Sequence, residues 1–322
     1  MLWRALLFGL VFVSPPFLKA WLLRRAGARI DNGAVIGWFS AVAARRVELG
    51  ARAAIKPFTL IFLDGDLAIG AYSEVSSFTL VYGSSDFVVG AESYIGPQSL
   101  INVEEPVRIG SGSALGPRAM VFTHGSYLPY IEGYWVRMAG VTVGNKVWCA
   151  AGVFLHPGVE IGDDSFVNSC AVVTQSLPPG SVAEGNPARV VYPMARVKRK
   201  MGPRQVDLAL ERTLVDFAEV GLRRQLRIET IERTQGCLRF AYRDRLYCVL
   251  LVGSDGRLPQ QPAATEQAVV LVNAENPPLP ANALIMDVPK RVAALSPDPI
   301  HTALRLFLLR YFGVRFREES AD

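Results

Sequence analysis

His124 is one of only three histidines in 322 residues, and it stands near the head of VFTHGSYLPYIEGYW, residues 121–135. An imidazole exchanges its proton near neutral pH, so a scarce histidine at the mouth of a glycine- and aromatic-rich loop is a candidate for proton transfer. The other two are weaker candidates. His156, in LHPGV, reads as solvated or corner-packed, and His301 reads as incidental to a C-terminal helix. The four cysteines (Cys149, Cys170, Cys237, Cys248) form no CxxC pair and no metal-like spacing, which reads as reduced thiols in a cytoplasmic protein.

The elements that must position His124 are written in a repeat. Four segments align at a spacing of twenty, opening with an aliphatic residue and Gly50, Gly70, Gly90 or Gly110. Inside each, aliphatics recur at six: Leu49, Ile55, Ile61; Ile69, Val75, Val81; Val89, Ile95, Ile101; Ile109, Leu115, Val121. After the loop the sixes continue through Val143, Cys149, Leu155, Ile161, Val167 and Val173, and a weaker start is visible at Ile30, Ile36 and Val42. A period of six with one inward aliphatic predicts three short strands per turn of a triangular prism, with small or polar residues at corners where positive φ is cheap for glycine. Coils then stack at strand spacing. The pattern breaks once. Val121 to Val143 is 22 residues where 8 are expected, so about 14 leave the prism beside His124.

Composition sets the outer limits. Half the residues are hydrophobic and 20% are charged, which suits a packed core rather than disorder. The net charge of +5 is compatible with an anionic ligand or a membrane surface, and no basic tract interleaved with aromatics points to nucleic acid. The N-terminal MLWRALLFGLVFVSPPFLKAWLLRR has an apolar run from Ala5 to Val13, too short to span a bilayer, then a second apolar group after Pro15 and Pro16. It predicts a helical pair. Residues 1–24 read either as a peripheral membrane anchor or as a cap over the prism.

Residues 141–191 carry a further signal in NKVW, PGVEIGDD, VVTQSLPPGSV and GNPAR, with LLRRAGARI ahead of the first coil. On these motifs the chain resembles the hexapeptide-repeat acyltransferases with a left-handed parallel β-helix, in their sugar O-acetyltransferase branch, over roughly residues 15–192. The resemblance implies a homotrimer, acetyl-CoA lying between neighbouring prisms, and a loop histidine acting as general base on an acceptor hydroxyl. It assigns that role to His124. Many relatives place the base three residues after a threonine, which here is Ser126, whereas His124 directly follows Thr123. Carried over, the acetyl-CoA contacts fall on Ala151, Gly152, Ser169, Thr174, Gln175, Asn186 and Pro187. Gln175 replaces a lysine common there, and RVKRK (residues 196–200) is either a substitute phosphate contact or a solvated run. Tyr127, Tyr130, Tyr134 and Trp135 are candidates for stacking on a pyranose, or for packing within the loop.

The twenty-residue column beneath position 124 runs through Glu104, Ser84 and Asp64. Glu104 is therefore expected either to orient the imidazole or to be a solvated corner residue, with Glu105 as fallback for the orienting role and Asn102 helping to position the acceptor or an oxyanion. The expected fold is mainly β: a helical segment over residues 1–28, a left-handed β-helix over 29–194 with the loop at 124–140, and a small α/β domain over 195–322. In that last domain CLRFAYRDRLYCVLLVG reads as a hairpin, QAVVLVNA and NALIMDV as strands, VRFRE as a further strand, and DPIHTALRLFLLRYFG as a helix capped by Asp298 and stopped by Gly313. No phosphate loop, metal set or nucleophile motif appears in it.

The leading expectation is an acetyl-CoA-dependent O-acetyltransferase acting on a cell-surface polysaccharide or lipid-linked saccharide, cytoplasmic or peripheral on the inner face of the membrane. Transfer to an amine, or of a longer acyl chain, stays open, as does a non-catalytic scaffold. A zinc hydratase on the same prism needs three histidine ligands, and the prism offers two; no metal is expected.

Overall fold

A computed structural model of the chain describes residues 2–125 and 128–319. Two compact units are formed, one up to Arg199 and the other from Lys200 onward.

The first unit is a parallel β-helix. One face holds seven strands, from Arg29–Ile30 to Glu160–Ile161, and the second holds nine, from Val35–Ile36 to the antiparallel pair Ser181–Glu184 and Arg189–Pro193. The third holds seven, from Ala41–Ala43 to Val172–Val173. Register follows the repeat, with Phe87 beside Val107, Ile95 beside Leu115 and Ile101 beside Val121. Each hexad aliphatic points inward: Ile55, Val75, Ile95, Leu115, Cys149 and Val167 form one ladder, all at most 1% exposed. Each such side chain contributes about 1.5–3 kcal/mol of burial. The faint start at Ile30, Ile36 and Val42 is a complete first coil, paired to Leu49, Ile55 and Ile61.

The corners differ from expectation. Positive φ is carried largely by side-chain-bearing residues, including Arg52, Tyr72 and Glu92 in one column and Phe39, Phe58, Phe78, Gln98 and Arg118 in another. The repeat-opening glycines serve a different need. A Cβ on Gly70 would meet the Ala91 amide nitrogen at 2.4 Å, and one on Gly110 the Gly144 carbonyl carbon at 2.5 Å. These glycines are needed because successive coils touch there.

The N-terminal residues form two helices, α1 (Leu2–Val13) and α2 (Pro16–Arg25), packed on the first coil. Val11 and Leu23 join the prism core. Lys19 is fully buried, and its Nζ donates to the carbonyls of Gly37 (2.8 Å) and Ser40 (2.7 Å). Burial lowers its pKa to about 8. The capping interpretation therefore describes the inner side of this hairpin. No helix among the described residues is long and apolar enough to cross a membrane.

The second unit is a seven-stranded mixed sheet with helices. The expected hairpin is Cys237–Tyr242 with Arg245–Val252, followed by parallel strands Glu266–Val272 and Leu284–Asp287, and Arg317–Glu319 returns as a strand. Two short strands, Glu232–Thr234 and Val292–Ala294, carry no clear sequence signal. A helix at Pro203–Asp216 continues as a π-helix, Phe217–Gln225. Here the buried Phe217 ring lies where a Cβ on Gly221 would be, 2.4 Å from Cδ2. The C-terminal helix Pro299–Phe312 is capped by Asp298, whose side chain accepts from the Ile300 and His301 amides, and Gly313 ends it in the left-handed region.

His301 is 1% exposed and, among the described residues, neither ring nitrogen has a hydrogen-bond partner. Burial, followed by repulsion from Arg305, lowers its pKa to about 4. The unfolded chain thus takes up this proton below about 6.5, while the folded unit resists until about 4. Its stabilising contribution is full above 6.5 and falls, by about 3 kcal/mol at most, as pH drops through this window. We expect His301→Leu to flatten the acid dependence of the second unit's denaturant midpoint between pH 6.5 and 4.

Candidate active site

The chain leaves the prism at Thr123. From the second coil up to Val121 the strands pair with the coil below at an offset of 20, whereas Ile109 pairs with Val143 at an offset of 34, so 14 residues are inserted. The insertion is pinned by a two-residue antiparallel contact, His124 beside Met138 and Gly125 beside Arg137. Thr123 is fully buried, and its amide and hydroxyl both donate to the side-chain oxygen of Asn102, at 3.4 and 3.0 Å. Its hydroxyl oxygen also accepts from the Glu105 amide at 3.1 Å.

His124 is half-buried, with Nδ1 at 3.0 Å from that same Asn102 oxygen. The backbone N–H of Thr123 fixes which end of the Asn102 amide points here, because only the oxygen can accept from it. An acceptor facing Nδ1 requires the proton on Nδ1. The lone pair is then on Nε2, the form a general base needs. The orienting partner expected at Glu104 is thus Asn102. Glu104 instead accepts from the Ser84 hydroxyl at 2.6 Å, one coil down in its own column. Asn102 is itself fully buried, and its amide nitrogen has no hydrogen-bond partner among the described residues and lies out of solvent contact. That placement does not fit direct contact with an acceptor.

The corner that carries His124 continues upward through His156 and Thr174. Phe122 donates its amide to Leu155, and His156 donates its own to Val173. The His156 ring packs on Phe154 at 4.8 Å between centroids. Burial and, second, the nearby Arg137 guanidinium lower its pKa, so corner packing describes it.

Among the loop aromatics, Tyr130 (73% exposed), Tyr134 (45%) and Trp135 (73%) face solvent rather than one another, around a short 3-10 turn at Tyr130–Glu132. Tyr127 lies outside the described residues. Ala151 and Gly152 occupy a different corner with Ser169 one coil above, the Cys170 amide donating to Ala151 at 2.8 Å. Asn186 and Pro187 form the exposed turn between the last two strands of the prism. That turn is held to Val172, whose amide donates to Gly185 and whose carbonyl accepts from Ala188. Thr174 and Gln175 sit across the strand Val172–Val173 from this group, on the His124 side. The expected cofactor residues therefore flank a single strand in two clusters. In RVKRK, Lys198 is committed to the Asp164 carboxylate at 2.9 Å to both oxygens.

The galactoside O-acetyltransferase of Escherichia coli (strain K12) is 45% identical over 51 residues, 16% of this chain and 25% of that protein. This chain spans a quarter of that relative's length. The solved hexapeptide-repeat containing acetyltransferase VCA0836 from Vibrio cholerae aligns at 18% identity over 59% of this chain and 88% of its own, with a TM-score of 0.37. A galactoside acetyltransferase in complex with coenzyme A aligns at 18% identity over 62% and 84%, with a TM-score of 0.33. No family model matches the chain.

Proposed function

We propose that the chain is an acetyl-CoA-dependent O-acetyltransferase acting on a saccharide hydroxyl. The observation that carries this is the Asn102–His124 pair, which leaves Nε2 as the free base at the head of an exposed aromatic loop. In this reading Nε2 takes the acceptor's proton as the hydroxyl oxygen attacks the thioester carbonyl of acetyl-CoA. The carbon–sulfur bond then breaks, and the imidazolium returns the proton to the departing thiolate, giving an acetyl ester and free coenzyme A. Asn102 acts through His124 by holding its ring and tautomer. Tyr130, Tyr134 and Trp135 offer apolar faces to a pyranose. Ala151, Gly152, Ser169, Thr174, Gln175, Asn186 and Pro187 hold acetyl-CoA. Incubating the purified protein with labelled acetyl-CoA and candidate glycans tests this directly. A mass gain on a glycan of about 42 Da plus the label, one acetyl group in place of one hydroxyl proton, supports it, and label transfer to none of a panel of hydroxyl acceptors overturns it.

We further propose a homotrimer working at the cytoplasmic face of a membrane on a polysaccharide or lipid-linked precursor. Support for assembly comes from an apolar seam on the prism. Phe12, Phe39, Phe58 and Phe78 touch ring to ring at 5.9, 5.4 and 5.1 Å, and the last three are 42%, 46% and 59% exposed. Stacked aromatics of this extent are costly to leave in water and suit a subunit contact. Light scattering at micromolar protein should give three chain masses; a monomer with full activity would remove the shared-groove model.

A further inference from the structure

The α1–α2 hairpin is apolar on both sides, and only one side is used by the prism. Inward, Leu7, Phe8, Val11, Phe12 and Leu23 pack on the first coil. Outward, α1 presents Leu6 (61% exposed), Leu10 (49%) and Val13 (64%), and α2 presents Phe17 (84%) and Trp21 (50%). These fall at spacings of four, three and four, a continuous stripe on the free side of each helix. A stripe of this kind is unfavourable in water and marks a contact surface.

Charge identifies the occupant. Residues 1–25 contain Arg4, Lys19, Arg24 and Arg25 and no acidic residue, the first being Asp31. Lys19 is consumed inside the cap, and the Arg24 guanidinium donates to the Ile30 carbonyl at 3.0 and 2.7 Å, while Arg25 is exposed at the end of α2 with its guanidinium 5.2 Å from the centre of the Trp21 ring. A tryptophan beside an arginine at the edge of an apolar stripe is the arrangement of an in-plane helix, whose ring sits at headgroup depth and whose cation meets lipid phosphates. The helices are of 12 and 10 residues, too short to span a bilayer, so the hairpin lies on the surface.

We propose that the outer stripe of the hairpin (Leu6, Leu10, Val13, Phe17 and Trp21) docks the protein on the surface of an anionic lipid bilayer. The docking deepens the membrane-face reading above, but it is independent of acetyl transfer, so the two can fail separately.

The test is flotation of the full chain with vesicles of phosphatidylcholine containing about one-third phosphatidylglycerol, against pure phosphatidylcholine. The native protein should float with the anionic vesicles and lose most of its binding on pure phosphatidylcholine or in high salt. The variant Leu6→Glu, Leu10→Glu, Phe17→Glu should reduce the bound fraction at least about tenfold, because it places charge in the inserted stripe. Its thermal melt should be unchanged, since the inner residues are untouched. A second variant, Arg25→Gln, should weaken binding to anionic vesicles only, since Arg24 is held by the Ile30 carbonyl and is left in place. The proposal is overturned if the native chain does not float, if the glutamate variant floats equally well, or if that variant fails to float only because its melt has collapsed while the exposed-position control Leu10→Gln floats as the native chain does. It is equally overturned if the glutamates dissociate an oligomer in lipid-free solution, which would make a second copy the occupant.

Discussion

His124→Ala should lower turnover by about 10²–10⁴-fold, the range expected for loss of a positioned general base and equal to ~3–5 kcal/mol of barrier. The ring is half-buried and its one hydrogen bond within the described residues is to Asn102, so the melting profile and acetyl-CoA affinity should change little. Turnover, binding and melting measured on the same preparation separate a chemical role from a structural one. If turnover survives and His156→Ala abolishes it, the base has been assigned to the wrong ring.

Asn102 should give the second-largest effect, and its two substitutions should differ in kind. Asn102→Leu removes the acceptor that serves the Thr123 amide, the Thr123 hydroxyl and Nδ1 of His124. A buried amide left unsatisfied costs roughly 1–3 kcal/mol, and the imidazole loses its tautomer, so both the melting midpoint and turnover should fall, the latter by about 10²-fold or more. Asn102→Asp keeps the oxygen but makes it anionic. A carboxylate beside the ring favours the imidazolium, so the neutral base is reached only at higher pH, and the acid limb of the pH–rate profile should move upward. Equal profiles for the native and aspartate proteins would show that Asn102 does not act through His124. Glu104→Gln, by contrast, should leave the profile in place, because Glu104 bonds to Ser84.

The prism was legible because its core is one-dimensional: each aliphatic at six has a neighbour in the next coil, and the inserted 14 residues show as a single break in that count. The partner of His124 was not legible, for a reason that lies in Thr123. Subtracting twenty from 124 assumes that the chain is still on the ladder, but its amide has already turned to the Asn102 side chain. A side chain that substitutes for a backbone acceptor leaves no periodic trace. Glycines were expected at corners for positive φ, which Gly112 and Gly152 do adopt, but the repeat-opening glycines such as Gly70 are constrained by the closeness of the next coil, and pattern alone does not separate these two uses. Nor does a hairpin apolar all round reveal which side the prism takes. That was decided by Lys19, whose ammonium finds two carbonyls inside the cap. In the second unit the capped helix and the hairpin were plain from their local signals, while the π-helix at Phe217–Gln225 follows from a ring needing the space of Gly221.

The stacked register also acts as a ruler. From Val42 in the first coil, the pairing runs through Ile61, Val81 and Ile101 to Val121, three residues before His124, which is four steps. At roughly 4.8 Å per step the histidine stands ~19 Å along the axis from the coil that carries the hairpin. If the proposed docking and the proposed acetyl transfer both hold, and the prism axis stands upright on the lipid, the reactive hydroxyl would be met at that height, out along a glycan beyond the headgroup. A chain with one twenty-residue coil fewer would hold the same catalytic corner one step nearer the bilayer. Coil number would then select which sugar in a tethered chain is reached, a choice made by length and not by any contact in the site.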